Sequence, residues 1–362
     1  MASKPPFVGE KVRLFDLCAK GKSTLRQKDL LDDGPYSVYG ASGIAGTMES
    51  FQNEKPYVCV VKDGAGVGRA MACEAYTSVL GTMQALIPKN GVNRDYLLHL
   101  VRSLKLGDGF SGSTIPHIYF KDYGKRAVPN YSSAQQAEIA AVLNLIETLI
   151  EQRGSVVRKS DELIKSRFVE MFGNPVSNPK YPKYPIFKLA KLSSGATPNR
   201  KKPEYFEGEI PWVKTGEVAT GNINETEEHI TEEAISDTAC HVLPAGTILV
   251  AMYGQGDTRG KSALLNISAA TNQACAAIKF NDQINEQFAL AHLHLCYEDL
   301  RNLSYGGNQK NLSLKILKNY EVTVPPIGLQ QQFADFVTQV DKSRFVCALA
   351  SQQCTLAGVS FE

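Results

Sequence analysis

The sequence lacks the features that would mark a membrane protein or a zinc-binding protein. None of its eight cysteines forms a C-x-x-C pair, which argues against a zinc ribbon or a thioredoxin-type site. No apolar run approaches the roughly 20 residues that a transmembrane helix needs, and the first residues lack the apolar segment of a signal peptide. Cysteines such as Cys59 and Cys275 lie inside apolar runs, as buried thiols in a reducing compartment do. We therefore expect a cytoplasmic protein that does not enter a membrane.

The sequence also lacks a large excess of either positive or negative charge. The 39 lysines and arginines barely exceed the 37 acidic residues, so the net charge is +2, well below the basic excess of a nucleic-acid-binding tail. A chain with this balance can bind DNA only through local clusters or with a partner's help. Basic residues do cluster in loops, at Lys20, Lys22, Arg26, Arg200, Lys201 and Lys202, and also at Lys121, Lys125, Arg126, Lys315 and Lys318.

Motifs of catalysis are missing or imperfect. The chain has no D/N-P-P-Y/F tetrapeptide of an amino-methyltransferase. The segment GQGDTRGKS (254–262) resembles a P-loop, but a P-loop places four residues between its first glycine and the Gly-Lys pair, and the segment KSALLNISAA after it is not an obvious helix. In HLHLC only His292 and Cys296 would share a helix face, so packing is favoured over metal binding. We expect no catalysis by this chain alone.

The chain instead contains an internal repeat. The segments YVCVVKDGAGVGR (57–69) and TILVAMYGQGDTR (247–259) match, with Gly64 opposite Gly254, a shift of 190. Further matches in the same order pair Gly66 with Gly256, Arg69 with Arg259, Ile115 with Leu312, Tyr123 with Tyr320 and Gln136 with Gln330. A repeat this long indicates a tandem duplication of a whole domain followed by a helix.

Each copy of the domain alternates short strands with glycine-rich turns and contains one clear helix, at 94–104 and at 285–303. This pattern predicts an α+β (mixed α/β) fold. The expected boundaries are 1–131 for the first domain, 132–174 for a central helix, 175–327 for the second domain and 328–362 for a distal helix.

The central helix carries a heptad stripe. Val142, Leu149, Val156 and Leu163 are spaced by seven residues, and so are Phe333, Val340, Cys347 and Cys354 in the second copy. The stripes predict that the two helices pack as a coiled coil that separates the domains. The alternative is that each helix packs on its own domain.

Several segments resemble motifs of a known family, the specificity subunits of type I restriction–modification systems. They are MFGNP (171–175), GATPNR (195–200), IPWVKTGEV (210–218), TNQACAAI (271–278), GGNQKNLSLKILKNYEVTVPP (306–326) and, in the first half, YSVYGASGIAGTM (36–48). The resemblance covers essentially the whole chain, and its motifs follow the order of the duplicated layout.

This resemblance implies two target recognition domains that each read one half of a split double-stranded DNA sequence, held apart by an antiparallel coiled coil. Modification subunits would methylate adenine N6 with S-adenosylmethionine, and a restriction subunit would use ATP and Mg²⁺. This chain would hold no cofactor of its own and would be a non-catalytic subunit. Because the two domains diverge in their first parts, the target should be asymmetric.

The candidate DNA contacts are polar and basic residues of the matched loops, since lysine and arginine suit phosphate or guanine and glutamine suits adenine. In the first domain they are Lys62, Arg69, Ser113, Thr114 and His117. In the second they are Lys214, Tyr253, Gln255, Thr258, Arg259, Lys261, Asn308, Gln309 and Lys310. Candidate contacts to a partner subunit are Gln135, Gln136 and Phe168.

Two other functions stay open from the sequence. A coiled-coil scaffold whose globular ends bind protein would not depend on DNA sequence. A P-loop enzyme would bind ATP as the isolated chain.

Overall fold

The computed structural model describes residues 10–112, 115–218, 221–254, 256–303 and 311–357, with side chains as far as 344. The chain divides into two units, Met1–Glu151 and Gln152–Glu362. Each unit combines strands with helices, which confirms the mixed α/β class and the duplication. The domain boundaries given above stay predictions.

The first unit is built on two small sheets. Its elements are β1 (Lys11–Arg13), α1 (Leu14–Leu17), β2 (Cys18–Lys20), β3 (Tyr36–Gly40), β4 (Gly43–Met48), β5 (Tyr57–Val61), β6 (Ala70–Cys73), β7 (Ser78–Val79), β8 (Met83–Pro88), α2 (Arg94–Ser103), α3 (Phe120–Tyr123), β9 (Ala127–Pro129) and α4 (Ser133–Phe172), which continues into the second unit. One sheet has the order β2-β8-β5-β6 and the other β4-β3-β7, while β1 pairs with β9.

The central strand β5 is buried along its whole length. Because strand side chains alternate between faces, Val58 and Val60 pack with α2, whereas Cys59 and Val61 join a second cluster with β3 and β7. Apolar layers on both faces explain why this strand is a continuous apolar run in the sequence.

The second unit repeats this plan with additions. Its further elements are β10 (Gly173–Asn174), β11 (Asn178–Pro179), β12 (Lys183–Pro185), β13 (Ala190–Ser194), β14 (Ile210–Val213), β15 (Gly221–Ile223), β16 (Glu228–Ile230), α5 (Glu232–Ser236), β17 (Ile248–Ala251), β18 (Ser262–Leu265), β19 (Ala270–Thr271), β20 (Cys275–Phe280), α6 (Glu286–Leu295), α7 (Tyr297–Asn302), α8 (Leu314–Asn319), β21 (Glu321–Thr323) and α9 (Ile327–Ala357).

The sheets of the two units correspond strand for strand. The order β13-β20-β17-β18 matches β2-β8-β5-β6, with β15 added at the edge, and β16-β14-β19 matches β4-β3-β7. In both three-stranded sheets the central strand is antiparallel to one neighbour and parallel to the other. The pair β12–β21 matches β1–β9. The repeat found in the sequence is therefore a repeat of structure.

Two predicted matches in the repeat are wrong. The Ile118 amide donates to the Lys62 carbonyl at 2.9 Å, and the Leu312 amide donates to the Met252 carbonyl at 3.0 Å. Leu312 therefore corresponds to Ile118 and not to Ile115. The shift of 194 residues holds afterwards, because the Leu14 amide donates to the Arg126 carbonyl and the Ile186 amide donates to the Tyr320 carbonyl. Tyr320 therefore corresponds to Arg126 and not to Tyr123, although α8 has six residues where α3 has four.

A buried glutamine joins each long helix to its domain. The Gln136 Oε1 atom accepts from the Asn93 amide at 3.0 Å, and its Nε2 donates to the Tyr131 carbonyl at 2.8 Å. The Gln330 Oε1 atom accepts from the Asn285 amide at 2.9 Å, and its Nε2 donates to the Pro325 carbonyl at 2.8 Å. Asn93 and Asn285 are the N-caps of α2 and α6. We call Gln136 and Gln330 the glutamine clasps.

Within the second unit, α4 and α9 pack side by side. Phe168 meets Phe333 with ring centroids 5.4 Å apart, Arg167 lies over Phe336, and Asp161 pairs with Arg344. From Phe333 to Arg344 the residue numbers of the contacts in α9 increase, while those of their partners in α4 decrease from Phe168 to Asp161. The two helices therefore run antiparallel.

The same helix pair also packs on the second domain. Phe168 stacks on Phe288 of α6 at 5.2 Å, and both rings belong to the main core of this unit. The helix α9 thus packs both on α4 and on its own domain, so this helix shows both of the arrangements left open by the sequence.

Part of the heptad stripe is exposed. Val142 and Leu163 have 43% and 51% of their surface accessible, whereas Leu149 and Val156 are half-buried. Side chains beyond 344 lie outside the description, so the partner of these residues stays a prediction. Among the helices that are described, none has the length and apolarity needed to cross a bilayer.

Candidate nucleic-acid interface

The first candidate loop joins β5 to β6. Gly64, Gly66 and Gly68 all have φ near +86°, a region that glycine enters without strain. Arg69 ends the loop on the surface, where its Nε donates to the Gly66 carbonyl at 3.3 Å. The positive φ at alternate positions explains why every second residue from 64 to 68 is a glycine.

A second segment, far along the chain, lies beside this loop. The Gly64 amide donates to the Pro116 carbonyl at 3.0 Å, and His117 forms a bridge with Asp63. The imidazole Nδ1 of His117 lies 2.8 Å from Asp63 Oδ1. The structure therefore brings together Lys62 and His117, which the sequence had placed in separate motifs. Ser113 and Thr114 lie outside the described residues.

A groove of about 740 Å³ opens at this junction. Its lining includes four lysines, Lys20, Lys62, Lys89 and Lys121, together with Asp63, His117 and Tyr119. Tyr119 is half exposed, its ring stacks on His117, and Lys121 lies over it at 5.3 Å. Cations around an exposed aromatic ring suit a polyanion that carries flat bases.

Three of these groove residues were not among the sequence candidates. Lys89 and Asp63 lie far from His117 in the chain, so no local pattern could associate them with it. Tyr119 did carry a signal, because it is two residues from His117 in an extended segment and so shares its face.

The corresponding loop of the second unit joins β17 to β18. Gly254, Gly256 and Gly260 have φ of +148°, +61° and +87°. Tyr253 is exposed, and Thr258, Arg259 and Lys261 are half-buried. The strand β18 follows the loop directly, so no helix N-terminus is present to bind a nucleotide phosphate as in a P-loop. Gln255 lies outside the described residues.

Two side chains of α7 hold this loop. Arg301 donates to the Arg259 carbonyl at 2.8 Å and to the Gly256 carbonyl at 3.0 Å. The Tyr297 hydroxyl donates to the Asp257 carbonyl at 2.5 Å. Three carbonyls of one loop are therefore fixed from a single helix, which sequence reasoning did not identify.

Some candidates of the second unit are engaged by acidic neighbours. Lys214 Nζ lies 2.7 Å from Glu227 and 3.1 Å from Glu228. Hydrogen bonds to Glu227 and Glu228 raise the pKa of the Lys214 ammonium. Lys261 pairs with Asp257 at 2.8 Å. Both lysines are partly neutralised, which weakens the case for Lys214 as a phosphate contact. Asn308, Gln309 and Lys310 lie outside the described residues.

Two of the three candidate partner contacts are buried in their own unit. Phe168 has no accessible surface, and Gln136 has 3%. Phe168 serves the core and Gln136 serves a glutamine clasp, so neither side chain faces outwards. Gln135 is exposed, and its Oε1 accepts from the Ser132 amide at 3.1 Å at the start of α4.

The histidine and cysteine residues of α6 pack as the sequence suggested. His292 is buried and its Nε2 accepts from the Thr323 amide at 3.2 Å, while burial lowers the pKa of the imidazole to about 3. Cys296 Sγ lies 3.5 Å from His292 Nδ1. In the described part of the chain, no group of three or more possible ligands could hold a metal ion.

Comparison with known proteins adds a family assignment to this geometry. The model of the type I restriction modification DNA specificity domain matches residues 9–156 and 181–345. A specificity subunit of a type I restriction enzyme from Escherichia coli is 25% identical over 158 residues, and one from Methanocaldococcus jannaschii is 23% identical over 278 residues. These matches cover 42% and 70% of this chain, but only 39% and 63% of the relatives' own lengths.

Solved structures show the same fold. The S subunit of a type I restriction–modification system from M. genitalium superposes with a TM-score of 0.67 at 16% identity, over 96% of this chain and 93% of that one. A chain from a study of complex assembly and conformational transition in the type I system gives a TM-score of 0.50 at 14% identity, over 98% and 96%.

Proposed function

Because this chain belongs to the family of type I restriction modification DNA specificity domains, we propose that it is the sequence-specific DNA-recognition subunit of a type I restriction–modification complex. Each mixed domain reads one half of a bipartite target. The partner subunits methylate adenine N6 and carry out restriction. The chain itself contributes recognition and not catalysis.

The observation that carries this proposal is the duplicated loop. Both units present a glycine-rich turn between corresponding strands, β5–β6 and β17–β18, against a segment that returns from about 50 to 60 residues further along the chain. In the first unit this junction forms the four-lysine groove. Lysines contribute affinity through phosphates, whereas the side chains between them are placed to meet base edges.

The two half-sites should differ in sequence. The frame is the same in both units, but the side chains on it are not: Lys62 and Asp63 stand where the second unit has Met252 and Tyr253. Different side chains present different donors and acceptors to the major groove. An asymmetric target follows.

The antiparallel helices α4 and α9 supply the spacer. DNA half-sites read from one face lie about 34 Å, one turn, or a multiple of it apart, and α4 alone, with 40 residues, is on the order of 60 Å long. A rigid helix can thus fix the length of unread DNA between the half-sites.

The partners in this proposal are double-stranded DNA, modification subunits and a restriction subunit. S-adenosylmethionine, ATP and Mg²⁺ belong to those subunits, and a cytoplasmic location is part of the proposal. The relatives are named specificity subunits of type I restriction enzymes, which supports the assignment. The exposed residues Gln135, Val142 and Ile150 of α4 are available to a docking subunit.

A methylation map tests the proposal. The chain is expressed with the modification subunit of its own system in a host free of adenine methylation, and the genome is sequenced for N6-methyladenine. We expect methylation at one split, asymmetric motif, and none when the modification subunit is expressed alone. An intact complex that methylates no motif would contradict the proposal. Binding that is independent of DNA sequence would favour the protein scaffold.

A further inference from the structure

Asp63 and His117 form a side-chain pair inside the first-unit groove. His117 Nδ1 lies 2.8 Å from Asp63 Oδ1, and the two side chains are 36% and 29% exposed. Flanking backbone hydrogen bonds, from Gly64 to Pro116 and from Ile118 to Lys62, fix both residues in place. The pair is therefore rigid and still open to a ligand.

The carboxylate determines which nitrogen of the imidazole carries the proton. A carboxylate can only accept, so Nδ1 must be the donor and, in the neutral ring, Nε2 must be an acceptor. Among the described residues, the side-chain hydrogen bond of this ring is made by Nδ1. The ring is held on one side by Tyr119, 6.4 Å away and nearly parallel, and Cδ2 lies close to Gly112.

This inference rests on the proposed function. We infer that His117 reads a base edge through Nε2 and that Asp63 is the positioning residue that fixes its tautomer. In the neutral form the ring accepts a hydrogen bond from an exocyclic amine, which in the major groove belongs to adenine N6 or cytosine N4. Guanine and thymine present only acceptors in the corresponding places and are rejected.

The second unit supports a reading role for these positions. Since Leu312 corresponds to Ile118, the residues equivalent to Asp63 and His117 are Tyr253 and Asn311. The backbone pairing is kept while the acid–imidazole pair is replaced by a phenol and an amide. A pair needed only for folding would serve equally well in both copies. Positions that determine specificity are expected to differ between half-sites.

The test is affinity selection of random duplexes by the full chain, in complex with its modification subunit. The variants are Asp63→Asn and His117→Gln. An asparagine amide can donate to Nδ1, which allows the other tautomer with a donor at Nε2. We expect Asp63→Asn to shift one base pair of one half-site from A or C to G or T by at least about fivefold.

The other half-site is the internal control and should not change. His117→Gln, whose amide carries both a donor and an acceptor, should lose the wild-type discrimination at the same base pair. If Asp63→Asn and His117→Gln both select the wild-type sequence at both half-sites, the inference is overturned while the proposed function stands. If the wild-type complex selects no sequence at all, the proposed function itself is overturned.

Discussion

At the scale of single residues, the two glutamine clasps stabilise the fold through buried side-chain hydrogen bonds. Gln330 has no accessible surface and satisfies the Asn285 amide together with the carbonyls of Gln283 and Pro325. Buried backbone groups that lose their partner are costly. In the sequence, Gln330 stood out only because it matches Gln136 in the repeat. Gln136 was predicted to contact a partner subunit, whereas the structure buries it in its own unit.

We expect Gln330→Ala to lower the free energy of unfolding of the second unit by roughly 2–4 kcal/mol, because three buried groups lose a partner. The single tryptophan, Trp212, is buried in this unit, so denaturant unfolding followed by its fluorescence measures the change. Gln331→Ala is the matched control, since Gln331 is exposed, and should cost about 0.5 kcal/mol or less. Equal losses in the two variants would contradict the clasp.

At the scale of elements, α7 and the β17–β18 loop act as one piece. Arg301 and Tyr297 hold three loop carbonyls, so the loop is fixed before any ligand arrives. Preorganisation of this kind reduces the ordering cost of binding. The sequence predicted one helix over 285–303, whereas the structure divides it at Cys296, and the separate α7 faces the loop.

We expect Arg301→Gln to weaken binding to a single half-site by about tenfold, because a loop that loses two hydrogen bonds must be ordered on binding. The measurement is affinity for duplexes that carry one or both half-sites. Glu298→Gln, on the exposed side of the same helix, should bind as the wild type does. An unchanged half-site affinity in Arg301→Gln would show that DNA binding does not depend on the hydrogen bonds from Arg301 to the loop.

Among the elements, the sequence predicted the features that local patterns determine and missed the contacts between residues far apart in the chain. The glycine turns, α2, α4 and the strands β5 and β17 follow from local patterns, and all are present. The Asp63–His117 pair joins residues 54 positions apart, and Lys89 reaches the groove from the position directly after β8. Only tertiary folding brings these residues together. Val142 and Leu163 of the heptad stripe are exposed, since apolar spacing does not say how far a partner helix extends.

At the scale of the whole molecule, a net charge of +2 is arranged unevenly. The groove of the first unit has four lysines against Asp63, whereas in the second unit Lys214 and Lys261 are paired with acids. Counterion release depends on the local cations that meet phosphates and not on the total charge. The first unit should therefore contribute most of the salt dependence of DNA binding.

We expect the double variant Lys62→Gln with Lys121→Gln to reduce the slope of log Kobs against log salt by roughly 0.9 for each lysine that contacts a phosphate. The sequence preference should be kept, since phosphate contacts carry little of it. Titrations of the complex at several salt concentrations measure both. The double variant Lys28→Gln with Lys55→Gln removes an equal charge from exposed positions outside the groove and should leave the slope unchanged. The same reduction of the slope in that control would contradict the assignment.

The packing of Phe168 on Phe333 also has a consequence for biosynthesis. These two residues are 165 positions apart, as the difference of their numbers shows. A ribosome adding about 5–20 residues per second needs roughly 10–30 s to make that stretch. During this interval the later part of α4 has emerged without its partner, while the first unit already has all of its strands. Synthesis from the N-terminus thus completes the strands of the first unit before α4 and α9 can pack together.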